Sequence, residues 1–178
     1  MNLANKITLT RIFLIPIFLL IILVDFNFHE FVAAFIFILA ASTDSLDGYI
    51  ARKRNQITTF GKFIDPLADK LLVSSALIVL VSTGQVPALA AIIIISREFI
   101  ITGFRLLAAS EGIVLAASWW GKIKTVTQIV AIVALILNNF PFQYIGIPFD
   151  AIALYVSVAV TIFSGADYLY KNRKLIKV

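Results

Sequence analysis

The chain contains no cysteine and a single histidine. The first absence excludes a disulfide framework and any thiolate-held metal. The second excludes a histidine metal site, and His29, placed in a short polar loop, reads as a solvated loop residue. Charge is also scarce: Asp, Glu, Lys and Arg make up 14% of the 178 residues, and only ten residues are acidic. What fills the chain instead is apolar, 61% of it, with a mean hydropathy of +0.99. No ordinary soluble domain has this composition. The length suits one domain spanning 1–178, with no internal repeat and no low-complexity segment.

The net charge is +5, which raises the question of nucleic acid. The distribution argues against it. Lys and Arg cluster near the N-terminus, at 52–54 and 62, around 122–124 and at 171–177, and none lies in the linkers around 25–30, 82–87 or 138–150. Basic residues mark the cytoplasmic loops of membrane proteins and attract anionic headgroups. The expected architecture is an all-α integral membrane protein, a bundle of six transmembrane helices with both termini cytoplasmic. With no targeting extension read ahead of helix one, the expected location is a bacterial inner (plasma) membrane.

The first apolar run covers Ile7–Val24 and is broken by Thr8, Thr10 and Arg11. Asn5, Thr8 and Arg11 are spaced by three and can line one face; the same spacing suits the interfacial end of a helix. Helix two is expected from about Phe31 to Arg52, helix three from Thr59 or Gly61 to Ser82, and helix four from Ala88 to Ala109. Helix four carries Arg97, Glu98 and Arg105 inside an apolar span, either a functional group or an internal Arg–Glu lock. Ile113–Trp120 reads as a loop or interfacial segment, with Trp119 and Trp120 as anchors. Helix five then opens at Gly121 and runs to Leu137, and helix six covers Ala151–Tyr170.

Four of the ten acidic residues fall between Asp44 and Asp69. Asp44 and Asp47 are three apart and share a helix face; Asp65 and Asp69 are four apart and share another. A polar basic turn, Arg52 to Gln56, joins the two helices, so an antiparallel pair brings the carboxylates together. Four such groups repel unless cations sit between them, and an all-oxygen ligand set suits hard ions such as Mg²⁺, Mn²⁺ or Ca²⁺. Gly48 and Gly61 permit close approach, and Arg52 offers a planar fork to a phosphate. Carboxylates, metal and arginine are the equipment of phosphoryl transfer.

The stretch resembles the signature of the CDP-alcohol phosphotransferases. That pattern is Asp, two residues, Asp-Gly, two residues, Ala-Arg, eight residues, Gly, three residues, Asp, three residues, Asp. Asp44, Asp47, Gly48, Ala51, Arg52, Gly61, Asp65 and Asp69 fill every fixed position. Eight positions at fixed gaps are a highly specific signal. The segments Arg97–Arg105 and Gly121–Thr125 are similar to the branch of the family that joins CDP-diacylglycerol to sn-glycerol 3-phosphate and releases CMP.

The resemblance implies that Asp44, Asp47, Asp65 and Asp69 hold two divalent ions, Mg²⁺ or Mn²⁺, with Asp69 also the general base. It implies CDP-lipid contacts from Asn5, Thr8, Gly48, Ala51, Arg52 and Gly61, an active site facing the cytoplasm, and a homodimer among membrane lipids. An acceptor that carries a phosphate needs a cationic pocket, for which Arg97, Arg105 and Lys122 are the candidates, with Lys124 after them. Rival acceptors within the family are serine, inositol phosphate and a second phosphatidylglycerol. From another class, aspartates in a six-span bundle could line the cation pathway of a transporter, although such a pathway has no need of the Asp-Gly and Ala-Arg spacing.

Overall fold

The structure is a computed structural model. It describes residues 3–53, 59–113, 115 and 118–173, and within these the side chains of 8–43, 67–113, 115 and 118–173. The side chains of Asn5, Asp44, Asp47, Gly48, Ala51, Arg52, Gly61 and Asp65 therefore lie outside the described residues.

Six α-helices and one short 3-10 turn form among the described residues, with no strand. They are α1 (Leu3–Leu23), α2 (His29–Lys53), α3 (Thr59–Ser82), α4 (Ala88–Ser110), α5 (Trp119–Ile136) and α6 (Phe149–Lys171), with the 3-10 turn at Phe142–Ile145. The all-helical expectation holds, and the bounds differ from it by a few residues at most. Two differences have local causes. The side chain of Ser118 accepts from Gly121 N at 3.0 Å, so α5 starts at Trp119 and takes in both tryptophans expected outside it. His29 is a half-buried first residue of α2 rather than a loop residue: its Nδ1 lies 2.9 Å from the Phe26 carbonyl and closes the turn before the helix.

Each helix buries one stripe. On α1 the stripe is Thr8, Arg11, Ile15 and Phe18; on α2 it is Ala33, Ala34, Phe37 and Ala40. The Phe18 and Phe37 rings meet at 5.7 Å between centroids. α1 packs on α2 and α3, while α5 and α4 both pack on α6. Alanines at these seams let backbones approach closely.

The outward faces are apolar as well: Phe13, Phe35, Ile78, Leu107, Val126 and Tyr155 are all more than half exposed. A soluble fold would leave polar residues there, whereas this surface matches lipid as solvent. Among the described residues, α5 and α6 are long and apolar enough to cross a membrane. The apolar stretches of α1 and α2 described here, Thr8–Leu23 and His29–Thr43, are shorter. Arg97, Glu98 and Arg105 interrupt the apolar run of α4.

The chain alternates direction, so the bundle has two chemically distinct ends. At one end, Gln85 Nε2 donates to the Leu135 carbonyl at 3.2 Å, and Asn138 donates to Glu30. The loops here, 24–28, 83–87 and 137–148, contain no Lys or Arg. The other end holds Arg97, Arg105, Lys122 and Lys124.

Candidate active site

A cavity of about 350 Å³ opens at the basic end of the bundle. α4 contributes Arg97, Glu98, Thr102 and Arg105, at successive intervals of one, four and three residues along one face. α5 contributes its first turns, including Gly121, Lys122, Lys124 and Thr125. α3 contributes Asp69 and Lys70, and α6 contributes Tyr168. Five cationic side chains thus face two carboxylates around one space. The N-terminus of α5, capped by Ser118, adds its own partial positive charge.

Arg97 is held from three sides. Its Nη2 donates to Ser164 Oγ on α6 at 2.7 Å, and its Nη1 lies 3.5 Å from Glu98 Oε1. Its aliphatic stem rests over Gly165, where a Cβ would stand only 3.1 Å from Arg97 Cγ. Gly165→Ala should therefore make the Arg97 stem give by a few tenths of an ångström and lower stability by about 1 kcal/mol. Denaturation of the detergent-solubilised variant would measure it, and an unchanged midpoint would show that the stem moves aside at no cost.

Glu98 has a second partner across the helix interface. Lys124 Nζ donates to Glu98 Oε1, and both residues are buried, at 5% and 8% exposure. The sequence offers an internal Arg–Glu lock as one reading of Glu98, and places Lys124 after Arg97, Arg105 and Lys122 as a candidate for the acceptor phosphate. Here the Lys124 ammonium lines the cavity with its charge already engaged. Arg105 and Lys122 are the more accessible cations: Arg105 Nη2 donates to the Leu115 carbonyl at 3.1 Å, and Lys122 Nζ lies 5.7 Å from the Trp119 ring centroid. Below them Gln128 Nε2 donates to Thr161 Oγ1 at 3.0 Å, closing the polar seam between α5 and α6.

The structure brings Asp69 together with Arg97, Arg105, Lys122 and Lys124 around a single cavity. Of the four aspartates, Asp69 alone has a described side chain, so no cluster of three or more metal-ligating residues occurs among the described residues. The helices themselves keep the expected register: α2 carries Asp44 and Asp47, and α3 carries Asp65 and Asp69. Thr8 and Arg11 are fully buried on one face of α1, so Arg11 turns into the bundle rather than outward. Its Nε donates to Thr43 Oγ1 at 3.1 Å, which ties α1 to the residue before Asp44. Thr43, Ser164, Gly165 and Tyr168 escaped the sequence reading. Only Thr43, adjacent to the signature, offered any signal.

The sequence model of the CDP-alcohol phosphatidyltransferases matches residues 1–163. The chain belongs to this family. It is 50% identical to the CDP-diacylglycerol–glycerol-3-phosphate 3-phosphatidyltransferase of Bacillus subtilis, over 99% of this chain and 97% of that protein. The protein of the same name from Rickettsia felis is 35% identical, over 97% of this chain and 96% of that protein. A probable phosphatidylglycerophosphate synthase of Mycobacterium tuberculosis is 37% identical, over 94% of this chain and 80% of that protein. In this CDP-alcohol phosphatidyltransferase, the matched span takes in the whole aspartate signature and the cationic residues of α4 and α5.

Proposed function

We propose that this protein transfers the phosphatidyl group of CDP-diacylglycerol to sn-glycerol 3-phosphate, giving phosphatidylglycerol phosphate and CMP. The observation that carries the reading is the shared cavity: Asp69 lies on the same wall system as Arg97, Arg105 and Lys122. A hydroxyl-bearing phosphate ester needs a base at one end and cations at the other, and this cavity supplies both.

In the reaction, Asp69 takes the proton from the 1-hydroxyl of glycerol 3-phosphate. The new oxygen–phosphorus bond forms at the phosphatidyl phosphorus as the anhydride bond to CMP breaks. Arg97, Arg105 and Lys122 hold the acceptor phosphate, and Lys124 acts with Glu98 in the cavity wall. Asn5, Thr8, Gly48, Ala51, Arg52 and Gly61 accommodate the CDP-lipid, with Arg52 beside the departing phosphate. Asp44, Asp47, Asp65 and Asp69 are the donor set for two Mg²⁺ or Mn²⁺ ions. Their all-oxygen chemistry and their spacing along α2 and α3 suit such ions. Bound there, the metals supply charge neutralisation for the pyrophosphate.

The protein works as a six-span bundle in a bacterial plasma membrane, as a homodimer, with both termini and the cavity facing the cytoplasm. The charge asymmetry supports that orientation: basic residues gather at the cavity end and the opposite loops have none.

The test is CMP release by purified protein with CDP-diacylglycerol, with and without glycerol 3-phosphate. Release should require the acceptor. It should stop on treatment with EDTA and return with Mg²⁺ or Mn²⁺. Release that proceeds undiminished in EDTA would remove the metal from the reading. Release with serine or inositol phosphate in place of glycerol 3-phosphate would reassign the acceptor.

A further inference from the structure

The buried stripe of α1 changes character along its length. Ile15 and Phe18 are apolar, whereas Thr8 and Arg11, nearer the N-terminus, are polar and just as buried, at 1% and 0% exposure. α2 changes in the same sense. Its buried Ala33, Ala34, Phe37 and Ala40 give way to Thr43 and then to the turn that carries Asp44 and Asp47. The two helices keep one antiparallel register: Phe18 meets Phe37, and seven residues back along α1 and six onward along α2, Arg11 meets Thr43. The polar part of α1 therefore lies against the part of α2 where the aspartate signature begins.

A guanidinium in such a seam is costly. Apolar side chains of similar volume are often as stable as a buried charge, or more so, and a bilayer adds to the cost. What the arginine provides is direction. Its Nε donates to Thr43 Oγ1 at 3.1 Å, and that hydroxyl donates in turn to the Ala40 carbonyl at 2.6 Å. The hydroxyl is thus held from both sides, its hydrogen committed to its own helix and a lone pair to α1. This contact is met at one rotation of α2 about its axis, whereas an apolar seam of small residues permits several.

We infer that Arg11, acting through Thr43, is a positioning residue for the aspartate end of α2: it fixes the rotation of that helix and so the place of Asp44 and Asp47 in the donor site. The inference rests on reading the four aspartates as the site for divalent ions and CDP-diacylglycerol. The cations offered to the acceptor phosphate stand on α4 and α5, so the effect falls on donor and metal and spares the acceptor.

Thr43→Val keeps the branched shape and removes the hydroxyl. The Mg²⁺ concentration for half-maximal CMP release and the KM for CDP-diacylglycerol should each rise about tenfold, the worth of one hydrogen bond to a charged group. The KM for glycerol 3-phosphate should not change. Two further readouts are independent of turnover. Equilibrium binding of labelled CDP-diacylglycerol in Mg²⁺ should weaken by a similar factor. The rise in thermal midpoint that Mg²⁺ and CDP-diacylglycerol together give the unaltered protein should shrink. Thr43→Ser, which keeps the hydroxyl, should bring all four quantities back to those of the unaltered protein.

An unchanged Mg²⁺ requirement with unchanged CDP-lipid binding in Thr43→Val would overturn the inference. So would a lower midpoint without ligands as the sole change, which would leave the hydroxyl a packing contact, or a rise confined to the acceptor KM. An equal defect in Thr43→Ser would overturn it too, by assigning the effect to side-chain shape. If the unaltered protein needs neither Mg²⁺ nor CDP-diacylglycerol, the reading of the aspartates falls and takes this inference with it. If the unaltered protein needs both and Thr43→Val matches it, the inference alone falls.

Discussion

Asp69→Asn is expected to abolish CMP release, by a factor of about 10³ or more, while leaving CDP-diacylglycerol binding largely intact. General-base catalysis contributes about 10²–10⁴ in rate, and an amide cannot accept the proton of an attacking hydroxyl. Asparagine keeps the size and one carbonyl oxygen, so the helix and the cavity wall around it are preserved. Asp69 is the right residue to change because it combines two placements. It ends the signature on α3, and it faces the cationic wall built by α4 and α5. Turnover at the original rate would remove the assignment. Loss of lipid binding together with turnover would make Asp69 a ligand group first and a base second. Equilibrium binding of a labelled CDP-lipid beside the turnover assay distinguishes these outcomes.

The second large effect concerns stability. Glu98→Ala is expected to destabilise the protein by about 3–5 kcal/mol, because it removes one partner of a buried ion pair and leaves the other charge uncompensated. Lys124 is 5% exposed, and Arg97 turns a second cationic group toward the same carboxylate. Without Glu98 the two cations also repel each other across the seam between α4 and α5. Changing both members, Glu98→Gln with Lys124→Met, should recover part of the loss, since the buried ammonium is gone and Arg97 keeps its hydrogen bond to Ser164. Denaturation of the detergent-solubilised protein would measure both variants. A single variant as stable as the parent would show that water reaches the pair and that the carboxylate is dispensable. The same substitution removes one of Arg97's anchors, so a higher acceptor KM should accompany the lost stability.

These two residues mark where local reasoning ends. Asp69 was legible because its evidence is local: carboxylates at three- and four-residue spacings, with glycines between them, need only helical geometry to share a face. The role of Glu98 was half legible. Its neighbour Arg97 is adjacent in sequence, but its buried partner Lys124 lies 26 residues away on another helix. Tyr168 was not legible at all. In an apolar helix near a basic tail, a tyrosine reads as an interfacial aromatic. Only the packing of α6 against α4 buries its hydroxyl at the cavity.

The helical class, the apolar character of nearly every helix face, and the helices on which the signature residues lie were all legible in the chain. These follow from composition and from the 3.6-residue repeat, which act within one segment. The tertiary structure decided which cations share a cavity with Asp69, which one is engaged by a carboxylate, and what α6 contributes. Those outcomes depend on how neighbouring helices are rotated about their axes. With apolar residues on almost every face, hydrophobic patterning leaves that rotation open. The few buried polar contacts, Arg97 to Ser164, Lys124 to Glu98 and Gln128 to Thr161, set it instead.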